Sequence, residues 1–194
     1  MTPPDFAAIF AVALVAVIAG FLVVSIYNAV VALRQRIDKA WSNIDVVLKQ
    51  RHDQLPNLVA AVRGVMQFEQ DVLTDVARAR AAYSPKAPIH DQAVVSEATS
   101  LAVRSLFAVV ENYPEIKSQA NVMDLQDEIE RLEGMIADRR ELYNDQVFRY
   151  NTRIAQVPAV LLAPIFGWQA RAFFAATPDE VMTPDTSLRP ADEA

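Results

Sequence analysis

A long apolar segment near the N-terminus constrains this chain more than any other feature. No charged residue lies between Asp5 and Arg34, and Phe6–Ile26 contains only two residues outside the apolar set. Because a helix rises about 1.5 Å per residue, roughly 20 apolar residues cross a hydrocarbon core of about 30 Å. We therefore predict a membrane span over residues 6–27, preceded by a short N-terminus of residues 1–5.

The alternative interpretation of this segment is a cleaved secretory signal peptide. A signal peptide begins with basic residues and has an apolar region of about 7–15 residues. Residues 1–5 contain no Lys or Arg, and the apolar segment that follows them is longer than that range. A retained anchor is therefore the preferred interpretation.

Basic residues around the span predict its orientation. Lys and Arg close to a span tend to remain on the cytoplasmic side. Arg34, Arg36 and Lys39 follow the span, and no basic side chain precedes it. We therefore predict a location in the cell (cytoplasmic) membrane, with the short N-terminus outside and the helical domain in the cytoplasm.

Composition excludes several classes of function. The chain has no cysteine, which excludes disulfides, thiolate metal sites and a cysteine nucleophile. Its four glycines are few beside the roughly 7% typical of globular proteins, which disfavours β-rich folds and phosphate-binding loops. The net charge is −6, and the tail Pro178–Ala194, with five acidic residues and one arginine, supplies −4 of it. The remainder lacks the basic excess that nucleic-acid binding requires, so no nucleic-acid partner is expected.

Apolar residues after the span recur at steps of three and four, as on one face of a helix, and predict four helices. The first helix leaves the membrane and ends near Asp53. Pro56 then lies in the first turn of the second helix, a position that tolerates proline. The second ends at the two prolines of Ser84–Pro88, because proline removes a backbone donor. The third helix is predicted over Asp91–Asn112 and the fourth over Glu115–Val157.

Short turns between these helices make successive helices antiparallel. The predicted fold class is therefore all-α, with an N-terminal transmembrane helix that continues into a long antiparallel up-and-down four-helix bundle over residues 28–157. The fourth helix then returns to the bilayer, where the apolar residues 158–175 follow. Two interpretations of them stay open: an interfacial segment beside anionic lipid, or a core segment folded over the end of the bundle. The acidic residues 176–194 are predicted to be a disordered tail.

Aromatic and basic side chains near the predicted membrane surface are candidates for contact with lipid. Tyrosine and tryptophan favour the interface, and basic side chains are attracted to anionic lipid. The membrane-interface candidates are Tyr27, Arg34, Arg36, Arg149, Arg153, Phe166, Trp168, Arg171, Phe173 and Phe174.

Few polar side chains invite a catalytic interpretation. His52 and Asp53 are adjacent, so on a helix their side chains diverge by about 100° and form no relay. Capping of a helix end is the favoured role for this pair. His90 lies beside the proline-rich turn and needs no role. No catalytic or cofactor-binding residue is therefore predicted.

Four acidic residues of the fourth predicted helix are candidate metal ligands by residue type. A carboxylate metal site in a helical bundle uses Glu-x-x-His on facing helices, and neither histidine has that spacing. We interpret the four as a solvated face that alternates with arginines. The acidic residues are Glu128, Glu133, Asp138 and Glu141, and the arginines are Arg131, Arg139 and Arg140.

Four blocks of the sequence resemble the LemA family. They read IYNAVVALRQRIDKAWSNIDVVLKQRHDQLPNLV, VARARAAY, VENYPEIKSQANVMDLQDEIE and RRELYNDQVFRYNTRIAQVP, and they cover most of Ile26–Pro158 in the family's order. The resemblance implies a single-pass membrane protein with a long four-helix domain, from a family without established catalytic residues. At Phe68-Glu69 relatives often have His before Glu, so a metal or acid–base role that depends on this His has no support here.

The sequence leads to a non-enzymatic single-pass membrane protein that acts as a helical scaffold or interaction module and self-associates at the membrane. The alternative is an adaptor or regulator of membrane proteolysis or of an envelope stress response, acting through a partner enzyme. The expected partners are the lipid bilayer, further copies of the chain in a homo-oligomer, and a membrane-protein partner. The sequence contains no recognisable catalytic site, which disfavours an enzyme. It does not distinguish the scaffold from the adaptor or regulator.

Overall fold

The computed structural model describes residues 3–63 and 70–175. Those residues form six helices and no strand, which confirms the all-α prediction. The predicted disordered tail over residues 176–194 and the Phe68-Glu69 departure lie outside the described residues. The helices are α1 Pro3–Arg63, α2 Gln70–Ala82, α3 Ile89–Val110, α4 Pro114–Lys117, α5 Ala120–Ala155 and α6 Ala159–Phe166.

The first helix is longer than the sequence predicts. The expected break between Asp53 and Pro56 is wrong, because α1 continues through Pro56 to Arg63. A proline inside a helix costs about 3 kcal/mol. The buried face of α1 continues across it with Leu55 and Leu58, each worth about 1.5–3 kcal/mol when fully buried. Burial of this face offsets the missing backbone hydrogen bond.

The fourth predicted helix begins later than expected. The chain forms the short α4 and then breaks at Ser118-Gln119 before α5 begins. The amide of Gln119 donates to the carbonyl oxygen of Ile116 at 2.9 Å, a tight turn rather than a continued α-helical hydrogen bond. Ile116 is fully buried in the hydrophobic core, so the turn places its side chain inward. The third helix is confirmed to within two residues at each end.

The described residues divide into two compact units. The anchor unit consists of residues 3–42 and 142–171, and the core unit consists of residues 43–63, 70–141 and 172–175. Two of the three chain boundaries between the units fall inside the continuous helices α1 and α5, and the third lies after α6, between residues 171 and 172.

Five helices contribute side chains to the hydrophobic core of the core unit. Their buried residues recur at steps of three and four, but on α3 the prediction that Ala98 faces inward is wrong, because Ala98 is exposed. The up-and-down four-helix arrangement and the domain boundaries at residues 28, 158 and 176 stay predictions. The buried residues of this core are Leu55, Leu58, Val62, Leu73, Val76, Ala79, Ala102, Val103, Leu106, Val110, Ile116, Val122 and Ile129.

The anchor unit is held together by apolar and aromatic side chains of α1, α5 and the segment after α5. Val157, the last residue of the fourth predicted helix, is exposed, and α5 ends two residues earlier at Ala155. The buried residues of this unit are Ile26, Val30, Ile37, Tyr143, Val147, Tyr150, Ile154, Ala159 and Trp168.

Candidate functional site

The N-terminal part of α1 exposes apolar side chains on every side. Apart from the half-buried Val23, the large apolar residues from Ile9 to Val24 are between 50% and 73% exposed. This helix is long and apolar enough to cross a membrane, and that property indicates membrane association. The helix Ile89–Val110 meets the same criterion of length and composition, although 39% of its most apolar window is buried.

Three aromatic rings meet beside the end of the apolar segment. The ring of Tyr27 lies 5.1 Å from that of Phe166, and the ring of Phe166 stacks on that of Trp168 at 5.2 Å between centroids. Tyr27 and Phe166 are exposed, whereas Trp168 is only 7% exposed. The contacts place α6 against the part of α1 where the predicted span ends.

The segment after α6 is fastened by polar contacts. Asn151 Nδ2 donates to the carbonyl oxygen of Arg171 at 3.0 Å, and the amide of Arg171 donates to Asn151 Oδ1 at 2.8 Å. The Arg171 guanidinium lies 3.6 Å from Asp38 Oδ1. Arg171, one of the membrane-interface candidates, therefore has a protein partner.

The other membrane-interface candidates lie in varied surroundings. Arg34 and Arg36 are exposed, Arg153 and Phe173 are half-buried, and Phe174 is buried in the core unit. The exposed Arg149 donates to Asp145 on its own helix at 2.9 Å. Burial of Trp168 and Phe174 shows that these two rings pack within the protein. Contact with lipid stays a prediction for the remaining candidates.

Tyr143 is the most deeply buried titratable group of the anchor unit. Its ring meets that of Trp41 edge-on at 5.7 Å. Burial raises the pKa of Tyr143 to about 12, an effect that nearby Arg171 opposes and Asp38 reinforces. The phenol is therefore neutral throughout the physiological range.

This raised pKa predicts a loss of stability at high pH. In the unfolded chain a tyrosine ionises near pH 10, whereas the folded chain keeps Tyr143 neutral up to about pH 12. The stabilisation is fully present below pH 10 and is lost as the pH rises through 12. We expect Tyr143→Phe to make the decline of the melting temperature between pH 9 and 12 shallower. Melting followed by circular dichroism tests this, and an unchanged slope would contradict it.

The core unit contains a buried arginine that the sequence analysis missed. Arg51 of α1 is 3% exposed and donates from Nη1 to Glu133 Oε1 of α5 at 2.6 Å. The same guanidinium donates to Ser100 Oγ and Ser96 Oγ of α3, each at 2.9 Å. Ser100 Oγ in turn donates to Glu133 Oε2 at 2.6 Å. We call these four residues the Arg51 cluster.

The Arg51 cluster corrects one sequence interpretation. Glu133 was grouped with the solvated face of the fourth helix, but its carboxylate is bound by a buried guanidinium from another helix. Glu128 lies at the surface, as the sequence predicts, and pairs there with Arg131. The hydrogen bond from Arg131 lowers the pKa of the Glu128 carboxyl. One feature of the sequence could have identified the cluster. Arg51 lies three residues after Leu48 and four before Leu55, a position where the apolar series of α1 would have an apolar residue.

A cleft of about 450 Å³ opens beside the Arg51 cluster, between α3 and α5. Phe107, Ile136 and Phe174 give it an apolar lining, and Ser96, Ser100 and Glu133 of the cluster reach its wall. Charged side chains also line it: Glu97, Arg104, Glu130 and Arg140. Arg104 lies 3.9 Å from Glu97. The cleft offers apolar area together with both signs of charge, a combination that suits a peptide segment more than a small anion.

The sequence pattern that defines the LemA family matches residues 40–187 of this chain. The chain belongs to the LemA family. Two curated relatives, the magnetosome proteins MamQ 2 and MamQ 1 of Paramagnetospirillum magneticum, are each 36% identical to it over 77 residues. The alignment spans 40% of this chain and 28% of each relative, so it covers only a minor part of those proteins.

The match places the Arg51 cluster, the cleft and α6 of this LemA family protein inside the family region, and leaves the apolar N-terminal segment before it. The interpretation of His52 and Asp53 as a helix-end cap is wrong, because α1 continues past both residues. His52 Nδ1 lies 3.2 Å from Asp53 Oδ1, and its ring packs on Tyr83 at 4.8 Å. Burial, and then the charge of Asp45, raises the pKa of Tyr83.

Metal-ligating side chains do not converge in the part of the chain that the structure describes. Across residues 3–63 and 70–175 no group of three or more His, Asp or Glu side chains comes together as a metal site requires. His90 makes a different contact: its Nδ1 lies 3.2 Å from the carbonyl oxygen of Ala175. This contact joins the start of α3 to the end of the described chain.

Proposed function

We propose that this LemA family protein is a non-enzymatic, single-pass membrane protein that acts as a helical scaffold by self-association. The outward face of α3 is the observation that carries the proposal. Val94, Ala98 and Leu101 lie on this face at steps of four and three residues, followed by Ser105 and Ala108, and all five are exposed. Leu101 is 54% exposed.

This face differs from the usual surface of a helix. The solvent-facing side of an amphipathic helix carries charged and polar residues, whereas a helix that is apolar all round is buried. The strip formed by Val94, Ala98, Leu101, Ser105 and Ala108 carries no charged side chain, and the charged Glu97 and Arg104 lie along one edge of it. Alternating steps of three and four are also the spacing of a coiled-coil seam. The face therefore suits another helix.

A second copy of the same chain is the partner that the anchor favours. A membrane span confines copies to two dimensions and raises their effective concentration, as a linker does for tethered domains. A weak contact between α3 faces then becomes sufficient for association. The proposal does not require a catalytic group.

Crosslinking at Leu101 tests the self-association. The chain has no cysteine, so Leu101→Cys introduces the one thiol for a short bis-maleimide applied to membranes. We expect a covalent dimer from this variant and none from Lys49→Cys, an exposed position on α1 of the same unit. Dimers at equal yield from both variants would indicate random collision, and no dimer from Leu101→Cys at native abundance would contradict the α3 interface.

The membrane and orientation belong to the same proposal. The basic residues Arg34, Arg36 and Lys39 follow the span. They support a span in the cell membrane with the helical domain in the cytoplasm and the short N-terminus outside. A reporter fused after Ala194 tests the orientation. We expect activity from a cytoplasmic fluorescent reporter and none from a phosphatase that is active only outside. The reverse pattern would overturn the orientation and leave self-association open.

A second candidate function is an adaptor or regulator of membrane proteolysis or of an envelope stress response through a partner enzyme. The cleft between α3 and α5 is the observation that favours a partner other than a second copy. A photo-crosslinking residue at Ala137, which lines the cleft, tests this alternative. Transfer of the crosslink to a membrane protease would support the adaptor function, and transfer only to the chain itself would support the scaffold.

A further inference from the structure

We propose that the outward face of α6 enters one leaflet of the bilayer, so that the membrane holds this protein at a second place besides the span. The inference rests on the membrane anchoring in the proposed function and names the surface involved. The face consists of Val157, just before α6, and Val160, Leu161, Ile165 and Phe166. We call it the α6 face.

The α6 face is an unusually apolar surface. The helix reads AVLLAPIF and has no polar side chain. Leu161 is 68% and Ile165 is 73% exposed, whereas Ala159 on the other side of the helix is fully buried. Burial of one large apolar side chain is worth about 1.5–3 kcal/mol, so exposure of several neighbouring ones to water is unfavourable. The surface therefore requires an apolar environment.

The position of the α6 face identifies that environment as lipid. Tyr27 contacts both Phe166 and Trp168 and lies one helical turn after Val24, an exposed apolar residue of the predicted span. Tyrosine rings are enriched where a span meets the headgroup region. The α6 face is thus continuous with the apolar surface of the span, at the level where the span ends.

The length of α6 limits it to one leaflet. Its eight residues extend about 12 Å at 1.5 Å per residue, well under a hydrocarbon thickness of about 30 Å. At its C-terminus Gly167 adopts a left-handed conformation with φ of 64°, which turns the chain and is favourable for glycine. The following Trp168 is buried within the anchor unit. The chain therefore leaves α6 without crossing the membrane.

The structure changes which residues of the segment face lipid. The sequence offered the large apolar side chains of residues 158–175 to lipid as one set, and the structure buries Trp168 and Phe174 of that set. Hydrogen bonds between Asn151 and Arg171 hold the chain after α6 in place. Leu161 and Ile165 of the same set stay exposed and are the residues left to face lipid.

Depth-dependent quenching tests the inference with the full chain. Single-cysteine variants Leu161→Cys and Ile165→Cys are labelled with an environment-sensitive fluorophore and reconstituted in vesicles of phosphatidylcholine and phosphatidylglycerol. Interfacial helices lie about 5–10 Å into the boundary between headgroups and acyl chains, so spin-labelled lipids should quench both labels about twofold or more. Leu142→Cys is the matched control, an exposed leucine on α5 of the same unit, and should not be quenched. Val17→Cys reports on the span.

The outcomes separate this inference from the proposed function. Quenching at position 17 without quenching at 161 and 165 would overturn the α6 inference and leave the anchor intact. No quenching at any position would remove the anchor itself. Labels at 161 and 165 that are shielded from water but unquenched would assign the α6 face to a protein partner and also overturn the inference. The double variant Leu161→Ser, Ile165→Ser should keep the wild-type melting temperature without lipid; a large drop would make the face part of the core.

Discussion

Replacement of Glu133 by alanine should lower the free energy of unfolding by about 3–5 kcal/mol, because it leaves the Arg51 guanidinium buried without its carboxylate. Arg51 is 3% exposed, and water that enters from the cleft after removal of Glu133 is neutral, so it compensates the guanidinium charge less well than the carboxylate does. Ser96 and Ser100 remain as acceptors, but neither carries a charge. For a chain of this size, a loss of 3 kcal/mol corresponds to a fall in Tm of roughly 6–12 °C.

Thermal melting by circular dichroism in detergent micelles measures the effect. The matched control is Glu128→Ala on the same helix, whose carboxylate pairs with Arg131 at the surface. Exposed ion pairs contribute little, so no measurable shift is expected there. Equal shifts for the two variants would show that Glu133 is no more important than a surface carboxylate.

A double replacement distinguishes the ion pair from simple packing. Arg51→Met with Glu133→Leu removes both charges and keeps side chains of similar length. Apolar replacement of a buried pair is often neutral or stabilising, so the double variant should be more stable than Glu133→Ala. If both variants lose the same stability, the loss comes from altered shape and not from an uncompensated charge.

Leu106→Ala should destabilise the protein by about 2–5 kcal/mol, because Leu106 is fully buried in the core and alanine leaves a cavity. Leu101→Ala makes the same change five residues earlier on α3, on the exposed face. We expect it to change the free energy of unfolding by less than about 0.5 kcal/mol. The two variants compare the buried face and the exposed face of the same helix.

The same two variants separate stability from association. Leu101→Ala should lower the yield of dimers formed by an amine-reactive crosslinker in membranes, and the melting temperature should stay unchanged. Leu106→Ala should lower the melting temperature whether or not copies associate. A strong loss of stability in Leu101→Ala would show that the outward face of α3 is covered within the chain, which would contradict the scaffold interface.

The apolar segment, the all-α class and the family were accessible from the sequence because each depends on local pattern. An uncharged run from Phe6 to Ile26 indicates a span by length alone. Steps of three and four placed Val30, Ile37, Tyr143 and Tyr150 on inward faces, and the structure buries all four. Helix ends were less accessible: Pro56 is a strong breaking signal, yet the buried face of α1 continues across it.

Only the tertiary structure shows which side chains contact one another across these helices. Arg51 and Glu133 are 82 residues apart, so no local spacing relates the guanidinium to its carboxylate. In residues 158–175 nearly every side chain is apolar, so periodicity cannot say which of them face inward. Packing against Tyr27 and the Asn151–Arg171 hydrogen bonds made that selection, burying Trp168 and leaving Leu161 outside. Sequence determined that this segment is apolar; contacts between residues distant in the chain determined which side of it is left exposed.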